Sequence, residues 1–271
     1  MDDLQEKALK RTALEVRKDV VRMIGVARSG YVSSSLSVVD ILVYLYWRFL
    51  NISPEEPRMR DRDRLILSKG HACSSLYAVL ANRGFFDREE LWNFRRLGSM
   101  LQGHPDRHTP GVEVCSGSLG QGLSVALGMS LAARIDKKDY RVYVLMGDGE
   151  IQEGNIWEAA MASSHYKCDN LCAILDYNGF QVDGATNDIM NLEPVAKKWQ
   201  AFGWHTIEID GHNMQQILLA YDEAKRIKGK PTIIVARTVK GKGVSFMENT
   251  VEFHGRAPTV DETEKALKEL S

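Results

Sequence analysis

Apolar residues recur every three to four positions from about Leu4 to Ala27, which predicts an amphipathic helix. The rhythm stops in "RSGYVSSS" and resumes over "LSVVDILVYLYWRFL" (36–50). There Ser37 and Asp40 have the spacing of a capping box and predict the start of a second helix. A short apolar run, "RLILS" (64–68), reads as a strand, "KGH" as a turn, and "ACSSLYAVLANRG" (72–84) as a helix closed by Gly84. "DREELWNFRRLG" opens with Asp87 in an N-cap position, with Glu90 three residues on, and predicts another short helix. The following stretch, 98–122, carries Gly, Pro and His and is too long to be a simple connector.

Beyond a helix over "LSVALGMSLAAR" (123–134), strand and helix patterns alternate. Strands are expected at 140–146, 170–178, 205–210 and 232–237, with helices at 155–166, 193–203 and 213–229 between them. This alternation predicts an α/β fold, a parallel sheet flanked by helices, with ligands at the carboxyl ends of the strands. The stretch 240–259 reads as a loop and "DETEKALKEL" as a mostly solvated final helix. With no repeat, linker or low-complexity segment, one domain over 1–271 is expected, with a helical lead-in and a loop-rich tail.

Composition narrows the function class. The 271 residues carry a formal charge of -1, with acidic and basic positions mixed. No basic stripe suggests nucleic acid, and no apolar run suggests a membrane span or signal peptide. The four cysteines form no CxxC pair, as expected of reduced thiols in a cytoplasmic protein.

The chemistry concentrates where two expected strands end. "YRVYVLM" runs into "GDGEIQEGN": Gly147 and Gly149 permit a tight turn with exposed N–H groups, and Asp148 offers a hard oxygen ligand. The next strand ends in "DYNGFQVDG", and adjacent parallel strands would bring Asp148 and Asn178 to one cation. Such oxygen donors suit Mg2+ or Ca2+ better than zinc. No GxxxxGK[ST] loop is present, and "GSLGQG" follows a loop rather than a strand, unlike a dinucleotide fingerprint.

In order, "LSKGHACSSLYA", "GHPD", "GSLGQGLSVALGMSLA", "GDGEIQEGNIWEA", "DYNGFQVDGAT", "DGHN", "KGKGVSFMEN" and "HGRAP" resemble the N-terminal part of a transketolase. The resemblance implies a thiamin diphosphate-binding fold. Asp148, Asn178 and the main-chain oxygen of Phe180 would hold the metal. Gly149 and the Glu150 N–H would lie on the diphosphate, with Gly117, Ser118, Leu119 and Val182 lining the cofactor. Glu153 matches a carboxylate that links cofactor sites across the subunit interface. His71, His104 and His254 match histidines that bind donor hydroxyls or help move protons.

The resemblance also implies a separate C-terminal subunit carrying the pyrimidine-binding domain, in a heterotetramer of two copies of each chain. The expected reaction is transfer of a two-carbon ketol unit from a ketose to an aldehyde. Two alternatives are a related enzyme with a non-standard donor or acceptor, and a non-catalytic partner subunit. Tyr31 stands where the family usually has histidine. Its hydroxyl can hydrogen bond, but an unperturbed phenol, with a pKa near 10, is a poor proton shuttle at neutral pH. An altered donor or acceptor preference is therefore expected.

Overall fold

The computed structural model describes residues 3–271. Helix α1 (Asp3–Ala27) leads into two short buried helices, α2 (Val32–Leu36) and α3 (Val39–Tyr44), and a π-helical turn over Leu45–Phe49. Strand β1 (Arg64–Leu67) precedes α4 (Cys73–Arg83), which Gly84 ends in the left-handed conformation at φ 89°. Then follow α5 (Gln121–Ile135), β2 (Val142–Gly147), α6 (Gly154–His165) and β3 (Leu171–Tyr177). A small antiparallel pair, β4 (Phe180–Gln181) and β5 (Gly184–Ala185), precedes α7 (Thr186–Ile189) and α8 (Val195–Ala201). The chain closes with β6 (His205–Asp210), α9 (Met214–Arg226), β7 (Thr232–Arg237) and α10 (Val260–Glu269).

Five strands form one sheet in the order β1-β2-β3-β7-β6, every pairing parallel. Strand periodicity divides the core in two. Tyr143, Leu145, Cys172 and Ile174 face the layer built by α1 to α4 and α9. Val142, Val144, Met146, Leu171, Ala173 and Leu175 face the layer of α5, α6 and α8. Both faces are covered, which explains why the central strands read as continuous apolar runs. Among the described residues no helix is long and apolar enough to cross a membrane, and all four cysteines are free.

The expected second helix is not continuous, and the Ser37–Asp40 capping box does not form. Val38 takes the N-cap position of α3 with no side-chain cap. Ser37 instead donates to Ser34 O at 3.1 Å and to Asp176 Oδ2 at 2.7 Å. Asp40 is claimed by Arg17, through Nη2 at 2.6 Å and Nη1 at 3.1 Å, and by His212 Nδ1 at 2.7 Å. A buried charge needs these distant partners more than a helix end needs a cap. A capping box is present elsewhere, between Thr259 and Glu262 at the start of α10. That helix is mostly exposed, as expected, but docks through Ala266 and Leu270.

Burial alone would raise the Asp40 carboxyl, but the Arg17 charge and the hydrogen bonds from His212 and Arg17 outweigh it and hold it down to about 2. A carboxyl depressed in the fold contributes stability that is complete above its ordinary value of 3.8 and is lost as pH falls through the folded value. At about 1.4 kcal/mol per pKa unit, this contribution is on the order of 2 kcal/mol. Asp40→Asn should therefore lower the thermal midpoint at neutral pH and flatten its decline between about pH 4 and pH 2. Parallel midpoint curves for the two proteins through that window would disprove the linkage.

Candidate active site

The ends of β2 and β3 are neighbours in register, Gly147 opposite Asp176, so the loops that follow them open side by side. Asp148 joins those loops. Its Oδ1 accepts from Gly149 N–H at 2.8 Å, and its Oδ2 accepts from Gly179 N–H at 2.6 Å and from Thr186 Oγ1 at 3.3 Å. Asn178 is fixed at both ends of its amide: Oδ1 accepts from Phe180 N–H at 3.1 Å and Nδ2 donates to Asp176 Oδ2 at 3.0 Å. Asp148, Asn178 and Phe180 line one cavity of about 290 Å³.

The glycines beside it serve close approaches. Gly117 adopts φ 148°, and a Cβ there would come within 3.2 Å of the His104 ring. Gly120 is left-handed, and a Cβ would meet Asn155 Oδ1 at 2.4 Å. Glu150 turns its carboxylate inward to accept from Gly147 N–H at 3.0 Å, Gly120 N–H at 2.9 Å and Ser68 Oγ. It thereby ties the 117–122 loop to the end of β2. Gly117, Leu119, Gly149, Glu150 and Val182 all line the cavity. Ser118 and Glu153 do not: both are exposed outside it, with Glu153 packed beside Gly120.

Aromatic and imidazole rings gather in the same cavity. Tyr31, His71, His104 and His254 line the same cavity. Tyr31 stands edge-on to His71 at 5.2 Å and to His254 at 5.8 Å, and the two histidines stack at 5.7 Å. Burial, then the Lys69 charge, pushes His71 well below its ordinary value. Burial, then Lys240, takes His254 down to about 4, and burial followed by Arg95 lowers His104. In all three the shift disfavours the imidazolium, which suits them to hydrogen bonding with hydroxyl and carbonyl groups rather than to holding anions.

Several residues of the site were not singled out from the sequence. Lys69 is fully buried at the end of β1 and pairs with Asp176, also donating to Ser34 O at 3.1 Å. Asp176 accepts in addition from Ser37, Thr238 and Asn178, and so sets which way the Asn178 amide faces. Gln181 lines the cavity, and Lys240 lies buried beside it against His254. The available clue was an aspartate inside an apolar strand, "NLCAILDYN", since a charge there demands a buried partner.

Asp148 carboxylate, Asn178 amide and Phe180 carbonyl are hard oxygen donors, which fit Mg2+ or Ca2+. Among the described residues no group of three or more His, Cys, Asp or Glu could hold a metal, as befits a set with one carboxylate. Burial and the Asp176 charge raise Asp148 to about 6, so a neighbouring cation would favour its ionised form. A Cβ on Gly149 would come within 3.1 Å of Gln181, so the close approach of these two cavity-lining residues favours bare backbone there. The residues present thus fit a diphosphate with a hard divalent ion.

Comparison with known proteins agrees with this chemistry. Residues 9–271 match the family described as transketolase, thiamine diphosphate binding domain. An apulose-4-phosphate transketolase subunit of Phocaeicola vulgatus is 41% identical, over 99% of this chain and 95% of its own. A 6-deoxy-6-sulfo-D-fructose transketolase subunit of Clostridium sp. (strain MSTE9) is 45% identical over 98% and 97%. The crystal structure of transketolase from Campylobacter jejuni superposes with a TM-score of 0.93 at 34% identity, over 100% of this chain and 43% of that one. The chain belongs to the transketolase family, as a form of its thiamine diphosphate-binding domain.

Proposed function

We propose that this chain is the diphosphate-binding subunit of a two-chain transketolase that transfers a two-carbon ketol unit from a ketose to an aldehyde. The observation that carries this reading is the shared cavity, lined by Asp148 and Asn178 together with His71, His104 and His254. Near-complete overlap with relatives named as subunits supports a separate partner chain. That partner would supply the pyrimidine-binding domain in a cytoplasmic heterotetramer of two copies of each.

Asp148, Asn178 and the Phe180 carbonyl would hold Mg2+, and Gly149 and the Glu150 N–H would lie on the diphosphate. Thiamin diphosphate, when bound, supplies the carbon nucleophile that this chain lacks. The chain's own contribution is to orient and exclude water. His71, His104 and His254 would hydrogen bond donor hydroxyls and carbonyl, and His71 and His104 would help move protons between oxygens without a standing charge. Tyr31 projects its ring among them, which favours a substrate range unlike that of a histidine-bearing relative.

The test is a donor panel of ketose phosphates and modified ketoses, with thiamin diphosphate and Mg2+, run on the pure chain and on its complex with the pyrimidine-domain chain. Turnover is expected only from the complex, and Tyr31→His should reorder the donors while leaving cofactor affinity within about twofold. Turnover by the chain alone would refute the split site. An unchanged ranking in Tyr31→His would refute the role given to Tyr31.

A further inference from the structure

Lys240 lies three residues beyond β7, at the start of a stretch that reads simply as loop. Its backbone is held from two sides. Gly241 N–H donates to Ser33 O at 2.9 Å, and Lys240 O accepts from Asn249 N–H at 2.9 Å. Gly241 itself sits at φ 79°, where a Cβ would come within 2.2 Å of Met247 O, so the turn requires glycine. The Lys240 side chain is fully buried, and its Nζ lies 2.7 Å from His254 Nδ1.

An ammonium has three donors and no acceptor, so His254 Nδ1 must be the acceptor in this pair. A neutral imidazole that accepts at Nδ1 carries its proton on Nε2. Because Nδ1 faces the buried lysine, Nε2 is the nitrogen left for the cavity that His254 lines. We infer that Lys240 is a positioning residue for His254, fixing the Nε2–H tautomer so that the ring presents one N–H donor to substrate oxygen.

The surroundings distinguish this arrangement from the carboxylate–histidine pair of a general base. A carboxylate on Nδ1 stabilises the imidazolium, whereas an ammonium there opposes it. The groups facing His254 are Lys240, the Lys69 charge, and the His71 and Tyr31 rings, and none of them is an anion. Burial and the Lys69 charge take Lys240 down to about 8, so it is still mostly an ammonium at pH 7. His254 is thereby assigned as a neutral hydrogen-bond donor to a carbonyl or developing oxyanion, and not as a store of protons. This deepens the transketolase reading and rests on it only for the identity of that oxygen.

The tautomer can be read directly, without turnover. In the full chain labelled with 15N-histidine, long-range 1H–15N correlation at pH 7, assigned by loss of the signal in His254→Gln, should show His254 protonated on Nε2 and bare on Nδ1. A proton on Nδ1, or an averaged mixture, would overturn the inference. Lys240→Met should shift His254 to Nδ1–H or to a mixture, and Lys240→Arg should retain the Nε2–H form. In the complex with the pyrimidine-domain chain, Lys240→Met should lower kcat about tenfold or more, with thiamin diphosphate affinity within about twofold and most of kcat recovered in Lys240→Arg. Full kcat in a Lys240→Met complex would overturn the positioning role. Absence of two-carbon transfer by the unsubstituted complex would instead sink the transketolase reading while leaving the tautomer result intact.

Discussion

Asp148→Ala should weaken the Mg2+-dependent binding of thiamin diphosphate to the assembled complex by about 100-fold or more, equivalent to about 2.7 kcal/mol. The size follows from Asp148 being the one carboxylate among the three oxygen donors proposed for the ion; amide and carbonyl oxygens bring dipoles but no charge. The side chain has a second task, because it gathers the Gly149 and Gly179 N–H groups and so holds the two loops together. Asp148→Asn separates the tasks in part: it removes the charge and keeps one acceptor oxygen, which can serve only one of the two N–H groups. Calorimetric titration with thiamin diphosphate, with and without Mg2+, should show both variants impaired and Asp148→Ala also less stable. Affinities within about twofold of the parent in both variants would rule out a metal role for Asp148.

Asp176→Ala should cost about 3–5 kcal/mol of folding stability, the usual penalty for leaving one member of a buried ion pair alone. Lys69 would then be a fully buried ammonium deprived of its counter-ion, and Ser37, Thr238 and the Asn178 amide would each lose an acceptor. For a chain of this size the midpoint should fall by roughly 10 °C. The paired replacement Lys69→Met with Asp176→Leu should be much milder, since it removes both charges and fills the space with apolar atoms. Thermal melts decide it: a single variant within about 2 °C of the parent would contradict the buried pair. The paired variant should still bind cofactor poorly, because nothing then orients Asn178.

Much of the fold was legible in the sequence for a local reason. The five strands of the sheet and the helices that alternate with them follow from apolar periodicity, and Gly84 ends its helix as glycine is expected to. The stretch "RSGYVSSS" between the first two helical patterns was legible only in part. Ser33, Ser34 and Ser35 are helical and fully or almost fully buried, serving Phe253 O, Ser74 and Ser75 more than any ligand, and of these three only Ser34 reaches the cavity. Local rules misplaced Ser37 and Asp40, whose partners lie 139 and 172 residues away along the chain.

By itself the sequence determined the α/β alternation, the sheet's two buried faces, and the chemical character of the loops at its carboxyl edge. Those are consequences of short-range periodicity and residue type, which need no knowledge of distant neighbours. Tertiary structure alone decided that Asp176 pairs with Lys69, that Ser118 and Glu153 lie outside the cavity, and that Lys240 faces His254. Such pairings are set by where a buried charge finds compensation once the strands are in order, and no spacing along the chain encodes that.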